Sequence, residues 1–150
     1  SNLSVEKILP HEFPMILIDE VTEVNFEKNY LVSKVKIKDT MPFFDKTING
    51  ISSVAGIEFM AQTIGCYSYL KRGENSPQIG FLLGTRIYNN AVEKFENRKE
   101  YFIKVEEIYN DHKICAFGCQ IFDDTQDEIA CATINAYQPD NLEEILKSDE

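Results

Sequence analysis

The chain has 150 residues, of which 43% are hydrophobic, and a formal net charge of −10. That is enough for one domain with a real core but not comfortably for two. The acidic balance leaves no surplus of Lys and Arg to neutralise phosphates, which excludes a nucleic-acid binder, and no run approaches the ~18 apolar residues of a membrane span.

The first ten residues carry Glu6 and Pro10 in place of an apolar stretch, so no secretory signal is expected. Ser1-Asn2 reads as a tag remnant and is set aside. Cys66, Cys115, Cys119 and Cys131 form no C-x-x-C pair, which makes zinc a poor fit. Buried thiols in a reducing cytoplasm are the expectation, with no metal and no cofactor.

Residues 3–9 read as a short helix capped by Ser4. Pro10 and Pro14 force an extended passage around His11-Glu12-Phe13. A strand over 15–25 and a second carrying Leu31, Val32, Val35 and Ile37 follow, joined by a turn at 25–29. Residues 41–50 form a loop with Pro42, Phe43, Phe44 and Asp45. A long helix begins with Ser52 or Ser53 as N-cap and ends through Lys71-Arg72 and Gly73. Strands are expected over 79–88, 101–109, 114–122 and 129–137, with hairpin turns at 110–113 and 123–127 and a short acidic helix over 140–150.

The central helix organises the chain. Apolar or small residues fill nearly every position from Val54 to Cys66, leaving no face for water, so the helix is expected to be buried on all sides. An α+β architecture follows: one domain with an antiparallel sheet of about six strands curled around one helix.

Inside that helix stands Glu58. A capping box needs Ser or Thr three residues earlier, and position 55 is Ala55. Two readings stay open: an ion pair, with Arg86 or a subunit neighbour, or a desolvated carboxyl poised to exchange a proton. His112 falls in a hairpin turn and reads as solvated. His11, held between two prolines, is the histidine placed for use, though a purely structural hydrogen bond suits it equally. At the helix start, the backbone N–H groups of Ser53, Val54 and Ala55 lie at the positive end of the macrodipole, where they suit a carbonyl or oxyanion.

Two segments carry a family resemblance. Leu9-Pro10-His11-Glu12-Phe13-Pro14-Met15-Ile16-Leu17-Ile18-Asp19 resembles the L-P-H-R-x-P-x-L-L-x-D opening of the 3-hydroxyacyl-[acyl-carrier-protein] dehydratases, and Glu58-Phe59-Met60-Ala61-Gln62 resembles their E-x-M-A-Q helix signature. Within that family, Pro42-Phe43-Phe44-Asp45, Gly56-Ile57-Glu58, the stretch from Gly80 to Arg86 and the ending Asn135-Ala136-Tyr137-Gln138-Pro139 are similar to the aryl-polyene-pathway branch.

The resemblance implies a hot-dog fold, obligate dimers with sites between subunits, and dehydration of a 3-hydroxyacyl thioester carried by acyl carrier protein or coenzyme A. Glu58 and His11 are the implied catalytic pair. Ser53, Val54, Gly84, Leu9, Pro10 and Phe44 are the implied substrate-binding residues. One departure stands out: the family's H-F-P-G turn histidine falls, by its offset from Glu58, on Phe44, and Ser53 stands where the family has glycine. The alternatives are a hot-dog thioesterase, or an acyl-binding subunit that pairs with an active homologue. Lys71, Arg72, Arg86, Lys94, Arg98 and Lys99 are the cations expected to form a carrier-protein patch.

Overall fold

A computed structural model describes residues 3–4, 16–72, 83–111 and 114–137. Alternating burial is the sheet's signature: along Ile114–Phe122, every second residue from Cys115 to Ile121 points into the core. The strands are β1 (Leu3–Ser4), β2 (Glu20–Asn25), β3 (Tyr30–Lys36), β4 (Phe44–Asp45), β5 (Gly50–Ser52), β6 (Leu83–Asn90), β7 (Lys94–Glu96), β8 (Glu100–Asn110), β9 (Ile114–Phe122) and β10 (Glu128–Tyr137). A 3₁₀ turn at Ser53–Ala55 leads into the helix α1, Gly56–Arg72.

The main sheet has the order β1-β2-β3-β8-β9-β10-β6, antiparallel throughout, and β4-β5-β7 form a second, three-stranded sheet. Six full strands, extended by the two-residue β1, wrap α1. This is the hot-dog architecture. Phe59, Met60, Ile64 and Tyr67 on α1 are fully buried against Leu31, Ile103, Val105 and Phe117 of the sheet. Each such side chain contributes roughly 1.5–3 kcal/mol by leaving water. Among the described residues no helix is long and apolar enough to cross a membrane.

Several expectations shift. Leu3 and Ser4 are extended and pair with Val21 and Glu20, so the expected helix over 3–9 does not begin there; residues 5–9 lie outside the described residues, as do the acidic tail at 140–150 and His112-Lys113 in the hairpin. The first core strand starts at Glu20 rather than 15, because the Leu17 and Ile18 N–H groups donate to the Gln62 side chain instead of to a neighbouring strand. The strand at Lys94–Glu96 is additional to the expected set. It forms because Phe95 is buried between the rings of Phe59 and Tyr101, at 5.1 and 5.0 Å.

The largest correction concerns the helix. It is not covered all round: Ile57, Glu58, Ala61, Gly65 and Ser68 are half-buried, a stripe on one side. The sheet curls over the other sides but does not close on this one, and the sheet's last strand, β6, has an edge without a strand partner among the described residues.

Candidate active site

The segment between β3 and α1 builds the site. Asp45 Oδ1 accepts from both the backbone N–H and the hydroxyl of Thr47, and these bonds hold its carboxyl below the usual carboxylate range. That shapes the turn which, in the resembling family, carries a histidine. Phe43 sits in the left-handed region at φ 70, a conformation uncommon for a bulky residue, and leaves its ring 54% exposed.

The chain then pairs as β5 and turns into the helix. Ser52 is the N-cap, its Oγ accepting from the Val54 N–H at 3.4 Å. The Tyr88 hydroxyl donates to the Ser53 carbonyl at 2.5 Å, and burial pushes that phenol up to about 12, so it stays a donor at any working pH. Gly56 is what admits this contact: a Cβ there would lie 2.1 Å from the Tyr88 hydroxyl.

These elements frame a cavity of about 450 Å³ lined by Phe43, Ile51, Ser52, Val54, Ala55, Ile57 and Glu58. Six of the seven are apolar or a single hydroxyl; Glu58 is the one ionisable group. The carboxylate is half-buried on the cavity wall, one helical turn inside the N-terminus, and its Oε1 accepts from Gln62 Nε2 at 3.5 Å. An acid at the edge of a mostly apolar pocket, beside a helix N-terminus, is a group that could exchange a proton with a bound ligand.

The structure brings together only part of the expected site. Glu58 and Val54 share the cavity. The Ser53 N–H already donates to the Glu93 carbonyl at 3.0 Å, and its hydroxyl, buried, faces Asn90 Oδ1 at 3.3 Å. Ser53 therefore braces the turn, while Val54 and Ala55 line the cavity, the Val54 N–H donating to Ser52 Oγ. Phe44 packs against the core, and its neighbour Phe43 lines the cavity instead. Gly84 is exposed on β6, where an added Cβ would meet nothing within 4 Å. His11, Leu9 and Pro10 lie outside the described residues, and the Arg86 and Arg72 side chains are likewise not described.

Among the described residues the expected cations do not all lie together. Lys71 pairs with Glu107 at the end of the 17-residue helix opposite to the site, about 24 Å from its start. Lys94 lies on β7 beside the site, its ammonium donating to the Ile48 carbonyl, while Lys99 pairs with Glu96.

Sequence reasoning missed Phe43 and Gln62. Phe43 carried no signal beyond its place in the loop, because a positive φ at phenylalanine is set by tertiary contacts. Gln62 carried one: four residues after Glu58, it falls on the same face of a helix.

A family model described as ApeP dehydratase (ApeP-like) matches residues 3–147. The chain is 34% identical over 82 residues to a 3-hydroxyacyl-[acyl-carrier-protein] dehydratase FabZ from Thiobacillus denitrificans, covering 52% of this chain and 55% of the relative. It thus spans little more than half the length of the curated relatives it matches. Among solved structures, the dehydratase heterocomplex ApeI:P from Xenorhabdus doucetiae matches with a TM-score of 0.83, 27% identity and 99% coverage of both chains. A hypothetical thioesterase protein with coenzyme A from Streptococcus pneumoniae matches with a TM-score of 0.58 at 12% identity, covering 79% of this chain and 83% of that one, which shows the shared fold alone.

Proposed function

Because the chain belongs to the ApeP-like dehydratase family, we propose that it dehydrates a 3-hydroxyacyl thioester, carried by acyl carrier protein or coenzyme A, to the trans-2-enoyl thioester. The observation that carries the reading is Glu58: the single carboxyl group on the wall of a mostly apolar cavity at the helix N-terminus. In the reaction a proton leaves C2 and hydroxide leaves C3, and the C2–C3 bond becomes double. Glu58 protonates the departing hydroxyl, which leaves as water. The Val54 N–H, now facing only Ser52 Oγ at 3.4 Å, turns to the thioester carbonyl as negative charge builds there. His11 takes the C2 proton.

The molecule acts as a dimer in this reading. The half-buried stripe of α1 and the edge of β6, with Ile87 64% exposed, form an unfinished side of the core that a second copy completes. The four cysteines form no disulfide, which suits a reducing cytoplasm.

A second reading rests on one observation: Phe44 stands where the resembling family has its turn histidine. There the chain pairs with a homologue that supplies the missing base, in an assembly of two different chains such as the dehydratase heterocomplex ApeI:P. Mass spectrometry of the products decides between these readings. The purified chain, given a 3-hydroxyacyl thioester on a carrier protein and on coenzyme A, is expected to form the enoyl thioester, and His11→Asn to abolish it. Release of free thiol identifies a thioesterase. No turnover until a homologue is added selects the second reading.

A further inference from the structure

Gln62 is fully enclosed, 1% exposed, in the middle of α1. A buried amide must satisfy both of its ends. One end is approached by two backbone donors, Leu17 N–H at 2.8 Å and Ile18 N–H at 3.4 Å. Two donors can meet only an acceptor, so that end is the carbonyl oxygen and the amide orientation is settled. The NH₂ end is the donor, and its Nε2 lies 3.5 Å from Glu58 Oε1.

The geometry points to Gln62 as the positioning residue that ties the extended segment entering β2 to Glu58 and fixes which carboxyl oxygen delivers the proton. With Oε1 held as an acceptor of the Gln62 N–H, Oε2 is the oxygen left to exchange a proton. The same side chain anchors the backbone at Leu17 and Ile18. One residue thus couples the approach to β2 to the orientation of the acid. No other ionisable side chain among the described residues lines the cavity that Glu58 faces, so Gln62 is the polar group set to orient it.

This inference rests on the proposed dehydration for its kinetic arm and stands apart from it for its spectroscopic arm. Gln62→Glu keeps an acceptor for Leu17 and Ile18 but replaces the donor toward Glu58 with another acceptor. Gln62→Met, of similar size, removes both. In each variant kcat is expected to fall about ten- to a hundredfold, the scale of a misplaced catalytic group, with KM within about twofold. Amide hydrogen exchange at Leu17 and Ile18 is expected to accelerate in Gln62→Met and to stay slow in Gln62→Glu.

In the otherwise unaltered chain, Glu58→Leu is expected to shift the Gln62 side-chain NH₂ resonances while leaving the Leu17 and Ile18 amides protected. A Gln62→Glu variant with full kcat, or NH₂ resonances indifferent to Glu58→Leu, overturns the inference. An unaltered chain that does not dehydrate any 3-hydroxyacyl thioester overturns the functional reading instead, and the resonances still decide whether Gln62 holds Glu58.

Discussion

Adding one methyl group at Gly56 tests how the site is held open. The residue has ordinary helical angles, φ −58 and ψ −31, so alanine can adopt its backbone, with a propensity gain of up to about 1 kcal/mol. Space is the obstacle. The new Cβ would lie 2.1 Å from the Tyr88 hydroxyl and 3.0 Å from both Tyr88 Cζ and Ile121 Cδ1. Tyr88 must swing away and lose its bond to the Ser53 carbonyl. Overpacking costs about 1–3 kcal/mol and the lost bond about 1, for a net destabilisation of about 1–3 kcal/mol after the propensity gain. For a chain of this size that lowers Tm by roughly 3–10 °C.

A double-mutant cycle in urea isolates the cause. Tyr88→Phe removes the clashing oxygen, so Gly56→Ala in that background is expected to cost at least about 1 kcal/mol less than alone, the coupling expected of residues in contact. Strict additivity, or a Gly56→Ala variant more stable than the parent, would refute the close approach as the reason for glycine here.

Phe95→Ala empties the space between Phe59 and Tyr101 and is expected to cost about 3–5 kcal/mol in denaturant unfolding; a loss below about 1 would show that β7 is dispensable. Burial pushes the Cys66 and Cys119 thiols up to about 12, so mass spectrometry after brief alkylation of native protein near pH 8 is expected to find label on half-exposed Cys131 and none on those two. The sign for stability follows: above the unfolded thiol's pKa of about 8.5 the unfolded chain has released protons that the folded chain keeps, so stability falls as pH rises through that value. A flat profile from pH 8 to 10 would contradict it. Ile87→Asp on the exposed strand β6 is expected to leave the single chain folded and to halve the mass measured by light scattering, since the fold itself does not bury Ile87; an unchanged dimer would place the interface elsewhere.

The sheet was legible because alternation is a local property: the strand at Ile114–Phe122 has the expected bounds. The helix was equally plain, and Glu58 stood out because a carboxylate among apolar residues demands a reason. What could not be read depended on tertiary contacts. The strand at Lys94–Glu96 is short and polar but for Phe95, and exists because two rings enclose that side chain. The role of Phe43 hangs on a positive φ, and the bracing of Ser53 on Glu93, Asn90 and Tyr88, all distant in sequence. The half-open side of the helix was hidden for a different reason: small and apolar residues look the same in a sequence whether they face a sheet or a second subunit.

Turnover of a 3-hydroxyacyl thioester by the purified chain and by its Glu58→Gln variant, followed by enoyl absorbance, tests the central claim most directly. The account predicts that the variant folds as the parent does and loses at least about a hundredfold in kcat, the scale of a lost general acid. Glu58→Gln with undiminished turnover would contradict it.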